Sequence, residues 1–176
     1  MLNAWRRRLK KPCYFCEINV LSDGVMNETL TDQHPFGREI IVEELVRRFA
    51  DCRQWEDRLR QIVLLAKALP ELPTELKNDT TALTGCENRV WLGHRQQDNG
   101  HLHFYAASDG RIVKGLLAII LTIVEDKTPS QLAGGDPLAI FDILGLRSEL
   151  SVSRASGLAA IDERINTIAG SYPPAP

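Results

Sequence analysis

The spacing of hydrophobic and polar positions changes period along the chain. From residue 35 the apolar positions follow a helical repeat. Ile40, Ile41, Leu45, Val46 and Phe49 fall on one stripe, and Trp55, Leu59, Ile62, Val63, Ala66 and Leu69 on a second, longer one. Pro70 and Pro73 bracket a break, and Thr74 to Leu83 reads as a short polar-faced helix. Past residue 86 the period shortens to two. Leu102, Phe104 and Ala106 alternate with His101, His103 and Tyr105, which predicts a strand with one face on a core and the other in water. The preceding extended run, "NRVWLGHRQQ", leads into Asp98-Asn99-Gly100. Asn-Gly signals a type I′ hairpin turn, whose two central residues both need positive φ.

Ile112 to Val124 is apolar on nearly every side and predicts the central buried helix. Thr128-Pro129 and Asp136-Pro137 each offer a cap followed by proline at the first helical position, and Gly145 stops the second of these helices. A last amphipathic helix spans about Arg154 to Ala169 and ends at Gly170. With no internal repeat, the pattern gives an α+β fold, a small antiparallel sheet packed among helices.

Composition narrows the class. A chain of 176 residues, 44 % hydrophobic and 25 % charged, suits one domain with a real core. The formal net charge of -2 gives no reason to expect nucleic-acid or membrane binding through a whole-protein field. The longest apolar run, Leu116 to Leu121 extended through Thr122 to Val124, is about half the length of a membrane span. Residues 1–33 differ from the rest: they hold Arg6-Arg7-Arg8, Lys10-Lys11 and a Cys13-x-x-Cys16 pair, with no sustained period. They read as a flexible extension, with Met26 as an alternative start, ahead of a domain at 34–170 and a Pro-rich tail at 171–176. The basic start lacks the apolar middle of a signal peptide, and four cysteines are too sparse for a disulfide-built domain. A reducing cytoplasm is therefore expected, where free thiols persist.

Among those thiols, Cys52 lies between two amphipathic helices and reads as a small buried hydrophobe. Cys86 follows Gly85, which permits positive φ, and precedes Glu87, Asn88 and Arg89, polar neighbours of a loop facing water. Filler and functional thiol both remain open for Cys86 on these residues alone. A reactive thiolate needs access and cationic help, for which Arg89, Arg111, Lys114 and Arg154 are candidates. A cysteine hydrolase would also need a histidine base within hydrogen-bond reach. His94 lies about 25 Å along an extended run at strand rise. With an Asn99-Gly100 turn, His103 falls opposite Gln96 and His101 near the hairpin tip. The same spacing disfavours a metal site, so the histidines read as surface residues on a solvated strand face. A sulfur relay needs only one thiolate, acting as in thiol–disulfide exchange.

The segments "GCENRVWLG", "SDGRIVKGLLAIILTIVEDKTPSQL", "LGLRSELSVSRASGL" and "QWEDRLRQIVLLAKALPELP" together resemble the SufE family of sulfur acceptors over roughly residues 34–170. The resemblance implies a fold shared with IscU-type iron–sulfur scaffolds and a persulfide-bearing cysteine at Cys86. It places the arginine of a Ser-Arg-x-x-Gly element at Arg154, and Asp109 and Arg111 in the Ser108–Leu116 element. Gly85, Glu87 and Arg89 flank the thiol. The implied partners are a pyridoxal-phosphate cysteine desulfurase and a downstream sulfur recipient, with no cofactor or metal held by this chain. An apolar pocket from the Ile112–Val124 helix and Trp91 is expected to shelter the thiol. A desulfurase-docking regulator that carries no sulfur is the alternative, and a metal-binding scaffold a more distant one. Residues 1–33 have no counterpart in the family, so Cys13 and Cys16 inherit nothing from it.

Overall fold

The computed structural model of the protein describes residues 34–85 and 87–173, so Cys13, Cys16 and Cys86 lie outside the described residues. Two N-terminal helices form where the helical period runs: α1 at Val42–Ala50 and α2 at Trp55–Ala68. α1 carries Glu43 and Glu44 in its first turn and Arg47 and Arg48 in its last, matching the helix dipole at both ends. Its buried stripe is narrower than the spacing predicts. Leu45 and Phe49 face the core, whereas Ile41 and Val46 are exposed. Ile40 belongs instead to a tight buckle ahead of the helix, in which Gly37 N–H donates to the Ile40 carbonyl at 2.9 Å.

The helix expected over Thr74–Leu83 does not form. A single 3₁₀ turn at Thr74–Leu76 gives way to a polar turn and then to a two-residue strand, β1, at Ala82–Leu83. Side chains capture the backbone here: Asn78 Oδ1 accepts from Thr80 N–H at 3.0 Å, and Thr81 Oγ1 donates to the Leu76 carbonyl at 2.6 Å. Such local bonds offer the chain an alternative to the helical ladder.

Strands β2 (Val90–Gln96) and β3 (Leu102–Ser108) complete an antiparallel sheet in the order β1-β2-β3. The hairpin is present, but its turn is not type I′. Gly100 has φ +82 while Asn99 does not enter the positive region. Gly100 N–H donates to the Gln97 carbonyl at 2.9 Å, and Gln97 N–H to the His101 carbonyl at 2.8 Å. This is the three-residue loop with glycine alone in the left-handed position. The register moves by one, so His103 pairs with Arg95 and Gln96 with Leu102.

Leu102, Phe104 and Ala106 enter the core as the alternation predicts. The opposite face is covered too, by the 34–40 buckle over His103 and by Leu72 beside Trp91 and Ala107. Against the core face lies α3 (Arg111–Val124), buried from Gly115 through Thr122 and again at Val124.

A capping box between Thr128 and Gln131 starts α4 at Pro129–Leu132. Asp136 Oδ1 accepts from Leu138 N–H at 2.9 Å ahead of α5, Ala139–Ile143. The last helix, α6, runs Val152–Gly170 and starts two residues before the expected Arg154, because Ser151 supplies the cap. No helix among the described residues is long and apolar enough to cross a membrane.

Candidate functional site

Three distant segments meet around the loop that holds position 86. β1 ends at Leu83, and Gly85 then takes φ +88 with open space where a side chain would begin. Glycine is required there by backbone conformation and not by crowding. On the other flank, Glu87 Oε2 accepts from Ser153 Oγ of α6 at 3.0 Å. Asn88 presses against Gly110, where an added Cβ would lie 2.6 Å from the Asn88 carboxamide carbon. The Arg89 carbonyl accepts from Ser108 Oγ at 2.9 Å and from Asp109 N–H at 3.3 Å. The Gly-Cys-Glu-Asn, Ser-Asp-Gly-Arg and Ser-Arg-x-x-Gly segments thus adjoin one another.

Between α3 and α6 the loop borders a cleft of about 20 Å³, room for one water-sized group. Val113, Leu116, Leu158 and Ile161 form its apolar lining, with Glu87 and Arg154 among its polar residues. Trp91, expected to help form the shelter, does not line this cleft. It packs with Leu72 and Ala107, between the charges of Arg89 and Lys77, which lie 5.5 and 5.6 Å from its ring.

The basic residues divide into two kinds. Arg89 Nε donates to Asp109 Oδ2 at 2.7 Å, and Lys114 is hydrogen-bonded to Glu71. Arg154 is half-buried and Arg111 exposed, and neither guanidinium is paired among the described residues. Of these, Arg154 lines the cleft beside the loop.

The reading of the histidines as surface residues on a solvated strand face is corrected. His34 and His103 are buried, His94 is half-buried beside Tyr172, and His101 pairs with Asp126 near the hairpin tip. None lines the cleft. His34 and His103 instead converge on Glu125, a constellation the strand alternation missed. The first acid after an apolar helical run, Glu125 following Val124, was its available signal.

His103 Nδ1 donates to Glu125 Oε1 at 2.7 Å, Phe104 N–H donates to Oε2 at 3.0 Å, and His34 Nε2 lies 3.4 Å from Oε2. Burial pushes the Glu125 carboxyl up, but the bonds from His103, His34 and Phe104 outweigh it and hold its pKa at about 2. The three side chains each present a donor atom within 4.8 Å of the others, close enough to ask about a metal. Yet His34 Nε2 sits 2.8 Å from the Phe104 carbonyl and must carry a proton to bond it. A protonated nitrogen cannot ligate. The other ring nitrogen of His34, Nδ1, is buried with no hydrogen-bond partner among the described residues. The cluster is a hydrogen-bonded tie between the 34–40 buckle, β3 and the end of α3.

The protein is thus a small α+β domain in which three loop segments gather beside position 86. The family model for SufE, the Fe-S metabolism associated domain, matches residues 43–169, and the chain belongs to the SufE family. It is 53 % identical over 132 residues to the sulfur acceptor protein CsdE of Escherichia coli (strain K12), covering 75 % of this chain and 90 % of that protein. Among solved structures it resembles the solution structure of a hypothetical protein from Thermus thermophilus, with a TM-score of 0.59 at 16 % identity. That likeness spans 74 % of this chain and 93 % of the other and bears on the fold alone.

Proposed function

We propose that this protein is a sulfur acceptor that takes persulfide sulfur from a cysteine desulfurase onto Cys86. The resemblance to the E. coli acceptor carries the reading, and the convergence of three loop segments beside position 86 supports it. In this reading residues 34–170 are the acceptor domain and work in a reducing cytoplasm. The partner is a CsdA-like pyridoxal-phosphate enzyme that holds sulfur from L-cysteine on its own thiol.

The Cys86 thiolate attacks the outer sulfur of the desulfurase persulfide. A new S–S bond forms to Cys86 as the old one breaks, and the electron pair leaves on the desulfurase cysteine, so no external oxidant or reductant is consumed. Relief of the desulfurase makes this protein an activator and not an autonomous enzyme. The sulfur then passes to iron–sulfur cluster assembly or tRNA modification. Arg154, at the cleft with its charge unpaired among the described residues, favours thiolate and persulfide anions over their neutral forms.

Incubation with a desulfurase and labelled L-cysteine, followed by non-reducing peptide mapping, tests the assignment. A one-sulfur mass increase is expected on the Cys86 peptide, and Cys86→Ser abolishes it together with stimulation of sulfide release. Stimulation by the serine variant equal to wild type would instead make the protein a docking regulator without sulfur transfer.

A further inference from the structure

Ser153, from the start of α6, reaches the loop that holds position 86 by a side-chain hydrogen bond. It binds Glu87 across 66 residues, and both partners are exposed, so the contact adds nothing to the core. The two ends of the bond differ in stiffness. Ser153 lies in the first turn of a nineteen-residue helix. Ser151 caps that helix by accepting from Arg154 N–H at 3.4 Å, and its hydroxyl lies 3.2 Å from that of Ser153. Glu87, by contrast, stands on the loop two residues after a glycine at φ +88 that nothing crowds. The carboxylate also faces the positive end of the α6 dipole, which strengthens its preference for this position.

We infer that Ser153 is a positioning residue for sulfur transfer. By donating to Glu87 it ties the residue bonded to Cys86 to the rigid start of α6, and so limits how readily the thiol meets an incoming electrophile. The inference rests on Cys86 being the carrier. A single exposed bond to a carboxylate is a weak tether, about tenfold in an equilibrium at most, which a docking desulfurase can displace. Releasing the tether frees Glu87 from the start of α6.

The test is the rate of alkylation of the full chain by iodoacetamide, resolved by peptide mapping, with buried Cys52 as the internal monitor of unfolding. Ser153→Ala is expected to speed modification of Cys86 by about threefold to tenfold. Glu87→Ala is expected to match it, the double variant to add nothing further, and Ser153→Thr to restore the wild-type rate. An unchanged rate in Ser153→Ala, additive effects in the double variant, or a parallel rise at Cys52 would each overturn the inference. No desulfurase enters this assay. Label missing from Cys86 in the transfer experiment therefore removes the carrier role, whereas a flat Ser153→Ala rate removes the tether.

Discussion

Glu125 ends the apolar run of α3 and carries a charge into the core, where His103, His34 and the Phe104 amide hold it ionised. Its pKa falls from 4.5 to about 2, so it binds fewer protons folded than unfolded through the acid range. The stabilisation is complete above the unfolded value and is lost as pH falls towards 2. Glu125→Gln is expected to cost about 3 kcal/mol at neutral pH, with the gap to wild type closing below pH 4.5. Urea unfolding of both proteins across that range checks this, and a gap of constant size at acid pH would contradict it. At this scale the sequence was partly legible. Cys52 is the buried filler its position implies, and Gly85 takes the positive φ its place before Cys86 permits. His103 misled because strand alternation says which face a residue is on and not what covers that face.

Among the elements, the two long helical stripes, the hairpin and the apolar helix were all legible, because each repeats one period for many residues. The short pieces were not. Asn78, Thr80 and Thr81 turn a helix-like stretch into a turn and an edge strand through bonds that no periodicity reports. The hairpin turn type was misread for a related reason. Asn-Gly fits both the two-residue loop and the three-residue loop with one left-handed glycine, and the two differ by one in register. Gly100 now carries the whole conformational demand. Gly100→Ala is expected to lower stability by about 1 kcal/mol, because an L side chain resists φ +82. Chemical denaturation with an unchanged slope would support that, and a loss under a few tenths would argue for another turn.

For the molecule as a whole, what counts is the charge left over once internal pairs are made. Among the described residues, Arg89 and Lys114 are engaged with Asp109 and Glu71, whereas Arg154 is unpaired beside the loop. Arg154→Ala is expected to reduce sulfur transfer about threefold to tenfold at subsaturating protein, and the wild-type rate to fall as salt rises. Initial rates at two ionic strengths measure both, and a variant indistinguishable from wild type would remove Arg154 from the site. The Ser153–Glu87 bond, next to Arg154, could not be read from either segment alone, since only the folded chain brings them together.

The family match begins at residue 43, yet the carboxylate of Glu125 leans on a histidine nine positions earlier. A shortened chain trimmed to the matched region would lose buried Phe36 and His34, one of the three groups that hold the carboxylate ionised. The buried anion thus draws one of its partners from ahead of the matched region.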